Sequence, residues 1–376
     1  MNNRFKSSVF AIAATAMASA LTACGAGGDD DPDMPTEVRM QWFGYTNHHV
    51  QMGKVGVLMD AAYAFGNQKG NTAIVPRVVN ALKAGGSTVD YMVLGHDHGD
   101  HSVDMDAVQQ LTGAKYYAMA SACDRAKNAG VACETIKGGE TIKLGEYVTM
   151  YPYRYIHNVK CDVAMAADGG IETIGYLFVV RTTKGRVAFV LNDSGIGGPD
   201  ASKEVIVNGE NRGSAFGNLA QAMKRAEVTR LDFSTLGPEQ RPATQAVHLL
   251  ENYYPKVLYQ NHQGWTGVVE GVTRSYDLLQ GLHYTGKLED SPHLARVMKK
   301  FPESKYVTPS NYFDAYSISV DGFQQVDNTA TKAAMGLPAS GPGPLPQSAV
   351  NLRNRPVGDP TGIDCPSDEY MFANYP

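Results

Sequence analysis

Two kinds of apolar pattern alternate along this chain and predict strands alternating with helices. Short, mainly apolar runs at 55–59 and 89–94 have the length and composition of buried strands. Between them, residues 74–84 carry apolar side chains at helical spacing, with Pro76 in the first turn and Gly85-Gly86 at the end. The first part of the chain therefore predicts a strand–helix–strand unit.

The same patterns continue beyond this unit. Further strands are predicted at 115–119, 141–144, 147–155, 174–181, 186–191, 231–236 and 257–260, and further helices at 104–111, 215–226 and 244–253. This order predicts an α/β domain over residues 38–335, with helices outside sheets. The periodic signal weakens beyond Gly264, and residues 336–376 are a Pro/Gly-rich C-terminal extension rather than a further domain.

Residues 1–23 have the pattern of an export signal. Arg4 and Lys6 precede an apolar run at 9–17 that is too short to span a bilayer and ends in small residues. The tetrad ending at Cys24, Leu-Thr-Ala-Cys, resembles the bacterial lipoprotein box, which implies cleavage before Cys24 and lipidation of this cysteine. An ordinary signal peptide is the alternative. Residues 24–37 are Gly-rich and then acidic, which predicts a flexible tether. A lipid-anchored protein of the bacterial cell envelope, on the periplasmic side of the outer membrane, is the resulting expectation.

The charge balance disfavours one class of partner. The 376-residue chain has a formal net charge of −5, and loss of the two cations in residues 1–23 makes it −7. An acidic protein lacks the electrostatic attraction to phosphate backbones on which nucleic-acid binding depends. We therefore expect no nucleic-acid partner.

Four cysteines follow Cys24, namely Cys123, Cys133, Cys161 and Cys365. An even number in an oxidising compartment favours two disulfides. Cys123 with Cys133 is the expected local pair, which would leave Cys161 to join Cys365, although spacing alone does not fix the connectivity. Thiolate-type metal spacing is not found among them, so a structural zinc is not expected.

The strongest chemical signal is a histidine cluster, His96-Asp97-His98-Gly99-Asp100-His101, directly after the strand at 89–94. Residues two apart on extended backbone project to the same side, so His96 and His98 share a side. Gly99 is expected to let the chain turn and bring Asp100 and His101 beside them. Three imidazoles and a carboxylate within six residues form a donor set for a divalent metal, with a solvated polar loop as the alternative.

This cluster resembles the H-x-H-x-D-H motif of the metallo-β-lactamase superfamily. The remaining ligands of that family are matched in chain order by His157, Asp193 and His262, each at or near the end of a predicted strand. Asp60, which closes an early strand, also fits. The resemblance covers about residues 39–265 and implies a four-layer αββα sandwich.

By this resemblance, His96, His98 and His157 hold one metal ion. Asp100, His101 and His262 hold a second, and Asp193 bridges the two. The implied cofactors are two divalent ions, zinc first, with manganese or iron as alternatives. Such a pair holds a hydroxide at neutral pH and polarises the group that the hydroxide attacks. Asp100 is the implied catalytic residue, which orients the hydroxide and shuttles its proton.

The other histidines have alternative interpretations. His248 is a rival to His262, but it lies in a helical run, which favours a packed or surface residue. His283 and His293 are expected at the surface. His48 and His49 precede the first strong strand, and one interpretation is that they line the mouth of the site.

Within the superfamily, Trp42-Phe43-Gly44 and Gly175-Tyr176 resemble the branch of lactonases and phosphodiesterases that includes L-ascorbate-6-phosphate lactonase. The chain departs from this branch at Tyr45, where a histidine is common. The leading hypothesis is an exported metal-dependent hydrolase that cleaves a lactone, ester or phosphoester of a small-molecule substrate. The alternatives are a non-catalytic metal- or ligand-binding lipoprotein, a mononuclear-iron sulfur-redox enzyme and a β-lactamase.

Overall fold

The computed structural model describes residues 31–44, 46–63, 74–157, 171–193, 204–236, 242–261, 292–307 and 311–339. The elements of the first half are β1 (Val38–Trp42), β2 (His48–Met52), β3 (Val55–Met59), α1 (Ile74–Ala84), β4 (Tyr91–Val93), α2 (Gly99–Ser102), α3 (Met105–Thr112), β5 (Lys115–Ala118), α4 (Ala120–Asn128), β6 (Glu134–Thr135), β7 (Ile142–Lys143), β8 (Val148–His157) and β9 (Ile171–Thr182). Those of the second half are β10 (Gly185–Leu191), β11 (Ile206–Val207), β12 (Glu210–Asn211), α5 (Ala215–Arg225), β13 (Phe233–Leu236), α6 (Pro242–Tyr253), β14 (Val257–Gln260), α7 (Pro292–Lys300), β15 (Lys305–Val307), β16 (Asp314–Ser319), β17 (Gly322–Val326) and α8 (Thr329–Ala334).

Eight of the described strands form a first sheet, in the order β17-β16-β1-β2-β3-β4-β5-β6. The strands from β17 to β3 pair antiparallel, whereas β3, β4, β5 and β6 pair parallel. Parallel neighbours bring their carboxyl ends to one edge of a sheet, so the residues that follow β3 and β4 lie side by side.

Seven of the described strands form a second sheet, in the order β15-β14-β13-β10-β9-β8-β7. Here β15, β14, β13 and β10 are parallel, and β10, β9, β8 and β7 are antiparallel. The residues that follow β10 and β14 therefore also share an edge.

The main core contains side chains of both sheets. Phe178 and Phe189 of the second sheet belong to the same buried cluster as Val50 of the first. Residues one position along from Phe178, namely Leu177 and Val179, belong to a second cluster with the apolar sides of α5, α6 and α7. Alternation of side chains along β9 therefore divides its residues between the two cores, as expected for a strand that is buried on both faces.

Helix α1 shows how local sequence sets the bounds of an element. Pro76 lies in the first turn, where its missing N–H costs nothing, and Gly86 ends the helix at a φ of +79°. The buried residues of α1 include Val78 and Leu82, one turn apart on its apolar side. The predicted bounds of α1, β3 and β14 are confirmed, as is the antiparallel pairing of β9 with β10.

The structure extends the predicted pattern in the C-terminal part of the domain. The sequence pattern identified no elements beyond Gly264, yet α7, β15, β16, β17 and α8 lie there. Strand β16 lies between β17 and β1 in the first sheet, and Val38 to Trp42 of β1 pair with Ile318 to Asp314. Helix α4 and strand β6 were likewise not predicted. Among the described residues, no helix has the length and apolarity needed to cross a membrane.

Candidate metal centre

The candidate site lies where strands of both sheets end. Asp60 follows β3 directly, and His96 follows β4 after Leu94 and Gly95. Asp193 lies two residues after β10 in the second sheet. Helix α2, a single turn, begins at Gly99 and returns His101 to the same place, with its backbone N–H donating to the His98 carbonyl at 3.0 Å. The turn after His98 is therefore helical, and Gly99 makes it without a positive φ.

Three buried donors converge in this site. One ligand-type atom from each of His96, His101 and Asp193 lies within 4.8 Å of the others, and all three side chains are 1% exposed or less. His96 Nδ1 lies 2.5 Å from Asp193 Oδ2, and His101 Nδ1 lies 3.6 Å from the same oxygen. His98 joins this group, since its Nδ1 lies 2.8 Å from His96 Nε2.

Asp60 contacts both His101 and the loop that carries His96. Its Oδ1 accepts the Gly95 backbone N–H at 2.8 Å, and its Oδ2 accepts the Thr46 hydroxyl at 2.5 Å. The same Oδ2 lies 2.9 Å from His101 Nδ1. With the proton on Nδ1, His101 donates a hydrogen bond to Asp60. Its Nε2 then carries the lone pair that can bind a cation.

Asp193 is held by residues of the second sheet. Tyr155, on β8, donates its hydroxyl to Asp193 Oδ1 at 3.3 Å. The preceding residue, Asn192, donates its backbone N–H to Thr235 Oγ1 at 2.6 Å and accepts from the Asn261 side-chain amide. These contacts join the ends of β10, β13 and β14 next to Asp193.

Gly95 is required by the close approach of the two sheets. A Cβ on this residue would overlap the Asp193 carboxylate, well inside van der Waals contact. Its carbonyl also accepts the Ile174 backbone N–H at 2.8 Å, which links the loop after β4 to β9. The absence of a side chain at position 95 is what allows Asp193 to reach His96.

The electrostatics of the site fit a divalent cation. Asp60 and Asp193 are both fully buried. Burial raises the pKa of Asp60 well above its usual range, and the negative charge of nearby Asp193 raises it further. Two buried carboxylates need compensating positive charge, and imidazole nitrogens with carboxylate oxygens are donors that zinc, manganese and iron accept. The residues present therefore suit a metal of this kind.

The structure describes the remaining predicted ligands only in part. His157 is the last residue of β8 and Asp100 lies in α2, but their side chains fall outside the description. His262 lies outside the described residues and directly follows Asn261. The rival His248, on α6, packs on Phe216 with ring centroids 5.1 Å apart.

The interpretation that His48 and His49 line the mouth of the site is wrong. Both lie in β2 and both are fully buried. His48 Nδ1 contacts the Thr46 carbonyl at 2.8 Å, and His49 Nε2 contacts the Thr88 carbonyl at 2.6 Å. Burial lowers the pKa of each to about 4, so both imidazoles are neutral and belong to the core.

A disulfide joins Cys123 on α4 to Cys133, directly before β6. Cys24, Cys161 and Cys365 lie outside the described residues, as does His283, whereas His293 is in α7.

Four contributors to the site were not identified from the sequence, namely Thr46, Gly95, Tyr155 and Asn192. Gly95 had a readable signal, since it separates an apolar strand from the first histidine. The other three act through contacts between residues distant in sequence.

Proteins named as hydrolases are among those to which the chain is similar. No family model matches the chain. It is 27% identical over 139 residues to a UPF0173 metal-dependent hydrolase from Sinorhizobium medicae, a match that covers 37% of this chain. The match covers 54% of that protein, so the chain spans about half the length of the curated relatives it matches.

Two solved structures are also similar. Igni18, a metallo hydrolase from Ignicoccus hospitalis, is 14% identical with a TM-score of 0.47, and the alignment covers 76% of this chain and 99% of that one. A protein named as a Zn-dependent hydrolase of the metallo-β-lactamase superfamily, from Thermotoga maritima, is 12% identical with a TM-score of 0.32, covering 72% of this chain and 97% of that one. The sequence relatives and these structural neighbours are thus all named as metal-dependent hydrolases.

Proposed function

We propose that this chain is a metal-dependent hydrolase of the metallo-β-lactamase superfamily, with the complete four-layer αββα sandwich of that family. The observation that carries the proposal is the convergence of His96, His101 and Asp193 within 4.8 Å in a fully buried position. The names of the sequence relatives support the same class of activity. Burying this many ionisable groups is costly for stability alone, which favours a functional explanation.

We assign two metal positions. His96, His98 and His157 would hold one ion, Asp100, His101 and His262 the second, and Asp193 would bridge them. Zinc is our first choice, with manganese or iron as alternatives. When bound, such ions supply Lewis acidity, which lowers the pKa of a water molecule and polarises the group that the water attacks.

The residues of the chain then have distinct tasks. Asp60 orients His101 through the 2.9 Å contact to Nδ1, and Tyr155 orients Asp193 through the hydrogen bond to Oδ1. We assign to Asp100 the role of orienting the attacking water and accepting its proton. Burial of the surrounding carboxylates keeps bulk water away and strengthens each of these interactions.

The proposed substrate is a small molecule with a lactone, ester or phosphoester group. The substrate class follows from the resemblance of Trp42-Phe43-Gly44 and Gly175-Tyr176 to the lactonase and phosphodiesterase branch. The same resemblance implies that Asp193 would supply a carboxylate to both metal positions.

We also propose that the protein is exported and anchored by lipid at Cys24 in the bacterial cell envelope. The disulfide between Cys123 and Cys133 supports an oxidising compartment. Labelling with a radioactive fatty acid would test this proposal, with Cys24→Ser as the control. Label on the Cys24→Ser protein, or none on the wild type, would contradict lipidation at this residue.

The test of the hydrolase is metal analysis combined with a substrate panel of lactones, phosphodiesters, thioesters and β-lactams. Wild type should retain at least about one transition metal per chain after dialysis and hydrolyse one of these classes. His96→Ala and Asp193→Ala should lose both metal and activity. His248→Ala removes a histidine outside the convergent cluster and should keep both. Metal binding without hydrolysis would favour the binding lipoprotein, and one iron with sulfur oxidation would favour the redox enzyme.

A further inference from the structure

Arg125, on α4, makes contacts with two carboxylates of the histidine-bearing segment. Its Nη2 and Nε donate to Asp97 Oδ1 at 2.8 and 3.2 Å. Its Nη1 donates to Asp106 Oδ2 at 3.0 Å. One guanidinium therefore bridges a residue between His96 and His98 and a residue in the first turn of α3.

These two carboxylates lie on either side of His98 and His101, and Asp97 directly follows His96. Asp97 lies between the first two histidines, and Asp106 lies five residues after His101. The segment between them contains the single turn of α2 and little other regular structure. A contact that fixes both its ends restricts the backbone that carries His98 and His101, and it also holds Asp97, the neighbour of His96.

The arginine itself is presented by a constrained helix. Cys123, two residues before Arg125, is bonded to Cys133 beside β6. Ala122 and Ala126 on the same helix are fully buried. Helix α4 is therefore fixed both covalently and by packing, and it can serve as a rigid support for the guanidinium.

The contacts are partly exposed, and this affects what they can do. The side chains of Arg125, Asp97 and Asp106 are 37%, 20% and 21% exposed. A single exposed ion pair contributes little to stability. A planar guanidinium that bonds two carboxylates in a fixed geometry contributes positional restraint, which lysine cannot reproduce.

We propose that Arg125 is a positioning residue of the metal centre, which holds the His96–His101 segment in metal-binding geometry by joining Asp97 to Asp106. This inference rests on the proposed function, because it assigns the segment to a metal. It predicts that loss of the guanidinium weakens metal binding even though Arg125 itself is not a ligand.

The experiment measures zinc affinity by competition with a chromophoric chelator, together with the visible absorption spectrum of the Co²⁺-loaded protein. Arg125→Gln should weaken zinc binding by roughly 10-fold, the lower end of the range for residues that support metal ligands. Arg125→Lys should have an intermediate zinc affinity, because lysine keeps the positive charge but lacks the planar guanidinium that can bond both carboxylates. Arg39→Gln is the matched control, since Arg39 also makes three hydrogen bonds, to Gly85, Asp327 and Asn328, away from the site.

A double-mutant cycle identifies the partner. Asp97→Asn combined with Arg125→Gln should weaken zinc binding no more than Arg125→Gln alone, because both changes remove the same interaction between Arg125 and Asp97. If Arg125→Gln fails to fold, Arg125→Lys and Asp106→Asn provide the same comparison, and each should still bind zinc more weakly than wild type with an altered Co²⁺ spectrum.

The outcomes separate this inference from the proposed function. Zinc affinity and a Co²⁺ spectrum unchanged by substitution of Arg125, in a wild type that binds metal, would overturn the inference alone. Equal weakening by Arg39→Gln would also overturn it, because the effect would then be one of general stability. A wild type that binds no metal would overturn the proposed function and the inference together.

Discussion

Asp60 Oδ2 lies 2.9 Å from His101 Nδ1, and Asp60 adopts a φ of +58° at the end of β3. This is a backbone conformation that few residues with side chains adopt, although Asp and Asn tolerate it better than most. The same carboxylate accepts the Gly95 N–H at 2.8 Å, so one side chain orients both a candidate ligand and the loop that carries His96. A positive φ and a buried ionisable side chain at one position are typical of a residue retained for function.

Replacing Asp60 should therefore weaken the metal centre more than it weakens the fold. Asp60→Asn keeps the backbone tolerance but turns one acceptor oxygen into a donor that faces Thr46, His101 or Gly95. We expect zinc affinity to fall by about 10- to 100-fold. Asp60→Ala should add about 1 kcal/mol or more of destabilisation from the positive φ. Chelator competition and chemical denaturation measure the two effects, and Asp60→Asn with wild-type affinity would contradict this role.

Gly95→Ala should disrupt the site sterically. The added methyl group would overlap the Asp193 carboxylate, so either the β4 loop or Asp193 must move. We expect a destabilisation of about 3 kcal/mol, the upper end for overpacking, together with loss of tight metal binding. Gly99→Ala is the control, because a Cβ there meets nothing within 4 Å. Equal unfolding free energies and metal contents for the two variants would refute the steric explanation.

The sequence predicted the elements whose signals are local. Helix α1 has an apolar stripe, an early proline and a glycine end, and its bounds at 74 and 84 were predicted correctly. Strand β16 has a weaker signal, because apolar and polar residues alternate only from Tyr316 to Ser319, whereas Asp314 to Tyr316 are all buried. Its place beside β1 depends on pairing with residues up to 280 positions earlier, such as Val38 with Ile318. Periodicity within one segment carries no information about such a partner.

The residues of the site likewise divide into those with a local sequence signal and those without one. The spacing of His96, His98 and His101 is readable because the three lie within six residues on a strand end and one helical turn. The contacts of Thr46 and Tyr155 depend on how the two sheets meet. The burial of His48 and His49 was not predicted, because two adjacent imidazoles in an alternating strand indicate one exposed face. In the structure both faces of β2 are covered, and each imidazole contacts a backbone carbonyl.

Breaking the Cys123–Cys133 disulfide should destabilise the protein. The two cysteines are 10 residues apart in sequence. Closing a loop of this length lowers the entropy of the unfolded chain by an amount equivalent to about 3 kcal/mol of stability. Chemical denaturation with and without a reductant measures the loss. In the double variant Cys123→Ala with Cys133→Ala the reductant should shift the denaturation midpoint much less. A wild-type midpoint that does not respond to reduction would contradict the prediction.

Acid should destabilise the protein through His48 and His49. Burial lowers the pKa of each to about 4 in the folded state, whereas an unfolded histidine has a pKa near 6.5. The unfolded chain therefore binds more protons between these values, so stability is complete above about pH 6.5 and is lost as the pH falls toward 4. At pH 5 each histidine should lower the free energy of unfolding by about 2 kcal/mol relative to pH 7.

His49→Gln keeps a donor toward the Thr88 carbonyl but does not titrate. Denaturation at pH 7 and pH 5 should show a smaller loss of unfolding free energy for His49→Gln than for wild type, because the other titrating groups are common to both proteins and cancel in the difference. Equal losses would mean that His49 is already protonated or already exposed in the folded protein.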